Sequence, residues 1–244
     1  MVGILEKVVL ELRNIQINGK PNMKNYGEIT DYCEDFSYCF TSGKSYSIIG
    51  GCGSGAWAIS CLLTGRESKI KGDIILNGNM VSPEEISKLA FYVGEGNREN
   101  KISIGKNSIS KQLQAGVKKG IVDKTYTEII DMFGLSKDRL DYEVEDLSWE
   151  RWRASIAIGF ANGRKIFCFP WCSTMMVNDL IMNSTIHKCI DILKKYGNIV
   201  ILPTEIEKSV DFLLDEIIHI NNSRSIPSER AKQIVLEWQK IFIR

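Results

Sequence analysis

Residues 47–57 read Ser-Ile-Ile-Gly-Gly-Cys-Gly-Ser-Gly-Ala-Trp, a glycine-rich turn between an apolar run and a helical one. Tyr46–Ile49 leads in as a strand, and Gly55–Leu63 follows with the spacing of a helix. A strand that turns into a helix through glycines is the basic unit of an α/β layer fold. Such a turn leaves backbone N–H groups facing outward at a helix N-terminus, where an anion is favoured. The phosphate-loop pattern is G-x-x-x-x-G-K-[ST]. Gly50 and Gly55 hold its two glycine places, with Gly53 and Ser54 among the residues between them. Ala56 stands at the lysine and Trp57 at the hydroxyl that would hold magnesium. Plain turn chemistry also gives glycines between strand and helix, so the loop alone leaves both readings open.

The surrounding pattern extends the α/β reading. Val8–Asn18 alternates as a strand, Phe36–Phe40 and Ser45–Ile49 follow as two more, and Gly72–Leu76 closes on Asn77-Gly78. Ser82-Pro83-Glu84-Glu85 is a helix start and Leu89–Val93 a fifth strand. The pattern then turns helical, with Lys106–Val117 and Thr125–Phe133 read as helices of an insertion. Trp149–Ala161 is a helix, Ile166–Phe169 a buried strand, and Leu180–Leu193 one amphipathic helix. Ile199–Leu202 and Ile217–Ile220 are strands, Ile206–Leu214 is a helix between them, and Ser228–Ile241 is a closing helix. Alternating strands and helices predict a mostly parallel sheet, with the early strands as an antiparallel appendage.

Composition excludes several classes. A formal net charge of +1 argues against a nucleic-acid partner bound through counterion release. No apolar run reaches the roughly 18 residues of a membrane span, and the first residues lack a signal-peptide core. Seven cysteines at scattered spacings predict reduced thiols, and two histidines, His187 and His219, make a His-rich metal site improbable.

The loop is one member of an ordered series. Tyr26-Gly27 precedes it; Phe91-Tyr92-Val93-Gly94-Glu95, Ile129–Leu135, Asp146-Leu147-Ser148-Trp149-Glu150-Arg151 and Ala154–Ala161 follow. Lys165-Ile166-Phe167-Cys168-Phe169-Pro170-Trp171 and Ile199–Glu205 complete it. In order and spacing the series resembles the ATP-binding subunit of an ABC transporter over nearly the full length. The resemblance implies a P-loop NTPase-like α/β core with a mostly parallel sheet, an N-terminal antiparallel β-lobe and an inserted helical subdomain. The corresponding divisions are 1–94 for the β-lobe and loop part of the core, 95–146 for the helical subdomain, and 147–244 for the rest.

The same resemblance assigns roles to positions, and most positions depart from them. Tyr26 falls where an aromatic stacks on adenine, although a surface or packing aromatic is the plainer reading. Glu95 replaces a glutamine. Ser148-Trp149-Glu150 resembles the signature L-S-G-G-[QE], one glycine short and with Trp149 for the other. Pro170 replaces the magnesium-binding aspartate, Trp171 the catalytic glutamate, Val177 a loop aspartate, and Glu205 the histidine that meets the γ-phosphate. Hydrolysis needs a lysine on the phosphates, ligands for Mg²⁺ and a group that polarises water. Losing the lysine alone removes a charge-assisted contact of roughly 1.5–3 kcal/mol. Trp57 and Trp171 are read either as plugs of the emptied space or as core fillers. Glu95 and Glu205 are read either as repulsive charges at the γ-phosphate or as solvated ones.

These departures imply a subunit without catalytic residues, metal or a firmly held cofactor, with weak ATP or ADP binding lacking well-held Mg²⁺ at most. Its expected partner is a membrane-spanning transporter subunit, with a competent ABC subunit or a second copy alongside. Its expected place is the cytoplasm, peripheral on the inner face of the cell membrane. Two alternatives stand beside this: a soluble regulator with no membrane partner, and a weakly ATP-binding subunit of a composite ATPase site.

Overall fold

A computed structural model describes residues 7–19, 22–23, 27–28, 30–97, 107–205 and 207–220. Tyr26 and the expected closing helix 228–241 lie outside them. Strand β1 (Val9–Gly19), the short hairpin β2 (Asn22–Met23) and β3 (Gly27–Glu28), and β4 (Asp31–Thr41) open the chain. β1 pairs antiparallel with β4, from Val9 against Thr41 to Gly19 against Asp31. In β1, Leu10 and Leu12 point into the core, and so do Ile15 and Ile17. The change of parity comes from a bulge at Arg13–Asn14, where Asn14 takes a positive φ of 50°. The extra residue returns the next two isoleucines to the core face, which strict alternation would have pointed outward.

β5 (Ser45–Ile49) is buried along its whole length, as a central strand covered on both faces should be. It runs through the loop 50–55 into α1 (Ala56–Leu63), whose eight residues are all buried. A helix apolar on every side has to lie between layers. α1 packs against β1 and β4 on one side and β10 (Ile199–Thr204) on the other. β6 (Ile70–Leu76) and β7 (Asn79–Met80) complete the antiparallel sheet in the order β4-β1-β6-β7. α2 (Pro83–Ser87) starts on a capping box between Ser82 and Glu85, as its sequence predicts, and leads to β8 (Ala90–Tyr92).

α3 (Ile109–Lys118) and α4 (Tyr126–Phe133) then pack on α5 (Arg151–Ala161). After α5 come β9 (Ile166–Cys168), α6 (Thr174–Met182), α7 (Ile186–Lys195), β10, and β11 (Glu216–His219). The second sheet is parallel with order β11-β5-β10-β9-β8. One apolar cluster fills the space between the two sheets around α1, and another joins the far face of the parallel sheet to the helices α3–α7. This is the α/β architecture expected, with an antiparallel lobe and helices inserted between β8 and β9. No helix among the described residues is long and apolar enough to cross a membrane.

Two expected elements differ. The single helix over Leu180–Leu193 is two helices, broken at Asn183-Ser184-Thr185, where Thr185 adopts a left-handed φ of 47°. The Ser184 hydroxyl donates to the Trp149 carbonyl, which pins the break to the start of α5. The expected helix 206–214 is one 3₁₀ turn at Glu207–Ser209, with Ile206 outside the described residues. Among the described residues of that stretch only Val210 and Leu214 are buried, while Phe212 is 69% exposed, so the described residues offer little apolar face to support a helix. Asp215 then ties the chain to β5 by accepting from the Ser45 N–H and hydroxyl.

Candidate functional site

The loop between β5 and α1 is shaped by glycine geometry. Gly53 and Gly55 have φ of 90° and 100°. A Cβ on Gly55 would stand 2.5 Å from the Tyr32 carbonyl oxygen and 2.6 Å from Cys33 Cα, so only glycine fits against the start of β4. Gly50 N–H donates to the Thr204 carbonyl at 2.9 Å, anchoring the loop's first glycine to the end of β10. Ser54 is 2% exposed, and its hydroxyl has no hydrogen-bond partner. Gly55 is the N-cap of α1 in a left-handed conformation and offers no side chain to cap it.

The cap comes from elsewhere. The Asp31 carboxylate, 2% exposed, reaches the N-terminus of α1 from the first residue of β4. Oδ1 accepts from the Gly55 N–H at 2.9 Å and Oδ2 from the Ala58 N–H at 2.6 Å. Burial pushes its carboxyl above the usual carboxylate range, opposed by the backbone N–H groups of Gly55, Ala58, Trp57 and Gly53. Those of Gly55, Trp57 and Ala58 lie at the end of α1, where a helix leaves its amides unpaired and favours negative charge. The sequence reading missed Asp31 because it began the strand at Phe36. Spacing alone does not mark it, since its role as a cap depends on β4 beginning at Asp31 beside the loop.

Ala56 is fully buried at the first helical position and brings no charge. Trp57 is buried, and its indole N–H donates to the Tyr92 hydroxyl at 2.8 Å. Trp171 comes from beyond the end of β9, and its indole N–H donates to the Gly50 carbonyl at 2.9 Å. Trp57, Cys61 and Trp171 form a small apolar cluster of their own. The two indoles therefore meet at the loop, one from α1 and one from the strand end, with Pro170 half-buried beside Trp171. Burial raises the Cys61 and Cys172 thiols to about 12, so neither is a nucleophile at neutral pH.

The carboxylates near the site are engaged. Glu95 pairs with Arg66 at 2.7 Å, and the Arg66 guanidinium lies 3.7 Å from the centroid of the Tyr92 ring. Glu205 accepts from the Thr174 N–H and hydroxyl, both at 2.9 Å, at the start of α6. Val177 is fully buried within that helix. In the segment before α5, Ser148 and Trp149 are exposed, but Glu150 is 4% exposed and turned inward. Its carboxylate accepts from the Ser136 N–H and hydroxyl and pairs with Arg139. The structure thus gathers Gly50, Gly53, Ser54, Gly55, Ala56, Trp57 and Trp171 into one site, with Tyr92 and Asp31 added. Glu150 serves the helical region instead.

Mg²⁺ does not fit these residues. The side chains at the two expected ligand positions are the Trp57 indole, engaged with Tyr92, and the Pro170 ring, which has no donor atom. Among the described residues no group of three or more His, Cys, Asp or Glu is placed to hold a metal ion.

No family model and no curated protein sequence matches the chain. Solved structures do. One described as the ATP-binding subunit of an ABC transporter shares 16% identity at a TM-score of 0.61, covering 87% of this chain and 86% of its own. A Pyrococcus furiosus protein assigned as an ABC transporter ATP-binding protein shares 20% identity at a TM-score of 0.58, covering 87% of this chain and 97% of its own. The fold is that of an ABC transporter ATP-binding subunit. At such identities the likeness is one of fold, and the site residues have to be judged by their own chemistry.

Proposed function

We propose that this chain is a non-hydrolysing ABC-type subunit that docks on a membrane-spanning transporter subunit and serves transport structurally or as a regulator. The observation that carries the proposal is the Trp171 indole, hydrogen-bonded to the Gly50 carbonyl and packed with Trp57 against the loop. In the fold, hydrolysis depends on charge neutralisation around a triphosphate and a carboxylate that orients water. Here those positions carry two indoles, a methyl group and a proline ring. Glu95 and Glu205, the acids at the positions expected to face the γ-phosphate, are held by Arg66 and Thr174. The apolar framework that a docking subunit needs is retained in both core clusters.

On this reading the membrane partner fixes the place of the protein, peripheral on the inner face of the membrane. A competent ABC subunit or a second copy completes the assembly, and any ATP or ADP is held weakly and without well-bound Mg²⁺. The divisions 1–94, 95–146 and 147–244 serve as β-lobe with loop, helical subdomain and remaining core. Phosphate release from purified full-length protein under saturating Mg-ATP tests the proposal. Background release is the expected result. Sustained Mg-dependent turnover that Trp171→Ala abolishes would overturn it.

A further inference from the structure

The loop contains its own anion. Asp31 delivers a carboxylate, buried to 2% exposure, onto the N–H groups of Gly55 and Ala58. Its position is imposed by the sheet. Asp31 pairs with Gly19 of β1, and the next residue, Tyr32, donates its N–H to the Gly53 carbonyl. The close approach of Gly55 to Tyr32 and Cys33 leaves no slack between β4 and the loop. A second feature points into the same loop. The Ser54 hydroxyl is buried, unpartnered, and 2.2 Å from where a Cβ on Gly50 would stand. A buried hydroxyl without a partner is costly, and an oxyanion in the loop is one chemistry that would satisfy it.

We propose that Asp31 is a built-in ligand of this loop, and that a phosphate chain gains access to these amides only when that carboxylate is gone. The proposal rests on the reading that the loop holds no nucleotide for hydrolysis, and it names what holds the loop in its place. One set of helix-end amides stabilises one anion. A second anion beside Asp31 meets like-charge repulsion at close range in a water-poor site, where screening is weak. The loop keeps its shape without a ligand because the chain supplies the counter-charge, and the same contact closes the site to phosphate.

The test uses the full chain, Asp31→Ala and Asp31→Ser, with tripolyphosphate in EDTA and chloride at matched ionic strength as control. Thermal melting and calorimetric titration are read together. Wild type is expected to show no shift with tripolyphosphate. Both variants are expected to melt lower on their own, to recover with tripolyphosphate but not chloride, and to bind it at least about tenfold more tightly than wild type. If either variant is insoluble in plain buffer, recovery of soluble protein on refolding with tripolyphosphate supplies the same readout. Wild type binding tripolyphosphate as tightly as the variants overturns the proposal, and so does failure of both variants to gain stability or soluble yield from it. Because no metal is present and no hydrolysis is measured, the result reports Asp31 alone. Turnover of Mg-ATP by wild type would instead count against the non-hydrolysing function.

Discussion

Removing the Trp171 indole measures how firmly the loop is closed. The side chain is 9% exposed, packs with Trp57 and Cys61, and donates to the Gly50 carbonyl. Truncating a well-buried tryptophan to alanine costs about 3–5 kcal/mol, and this small cluster at the edge of the core belongs at the lower end, about 3 kcal/mol. Trp171→Phe keeps much of the apolar contact but removes the N–H, leaving the Gly50 carbonyl without that donor at a cost of about 1 kcal/mol. For a chain of 244 residues, about 2–4 °C of melting temperature accompanies each kcal/mol. Trp171→Ala should therefore lower the melting temperature by about 6–12 °C and Trp171→Phe by about 2–4 °C. Differential scanning fluorimetry, with urea unfolding as a second measure, reads both. If both variants stay within about 0.5 kcal/mol of wild type, as surface substitutions do, the indole does not seal the loop.

Further outcomes follow from the same contacts. Glu150→Ala strips the Ser136 N–H of its acceptor in a buried site and should cost about 1–3 kcal/mol in urea unfolding, with no change in nucleotide binding. Gly55→Ala forces a Cβ to 2.5 Å from the Tyr32 carbonyl at a φ of 100°; it should destabilise more than Trp171→Phe and reduce soluble yield. In α4, hydrogen bonds from the Thr125 N–H and hydroxyl, then from Lys124, hold the Glu128 carboxyl down at about 2, from 4.5. A depressed folded value means its contribution is present above 4.5 and is lost as pH falls toward 2. Glu128→Gln should flatten that part of the pH–stability profile, and an unchanged acid limb would count against the capping box that Thr125 and Glu128 form at the start of α4.

The parts of this molecule that were legible in the sequence are those whose causes are local. Gly50, Gly53 and Gly55 between a strand and a helix gave the turn, and Ser82-Pro83-Glu84-Glu85 gave a helix start that the structure closes as a capping box. The order of strands and helices was enough for the layered α/β class. What was not legible depends on partners distant in the chain. Asp31 meets Ala58 across 27 positions, and Glu95 meets Arg66 across 29. Glu150 faces Ser136 and Arg139, 14 and 11 positions earlier, which no spacing rule announces. The break before α7 depends on the Ser184 hydroxyl finding the Trp149 carbonyl, 35 residues away. Apolar spacing on either side of that break reads as one helix because period alone carries no information about tertiary hydrogen bonds.

The most direct test of a closed, non-hydrolysing site is calorimetric titration of the purified full-length chain with ATP, with and without Mg²⁺, to low millimolar concentration. The expected result is no heat, or weak binding that Mg²⁺ does not strengthen. Binding near 1 µM, about 8 kcal/mol, that depends on Mg²⁺ would contradict it.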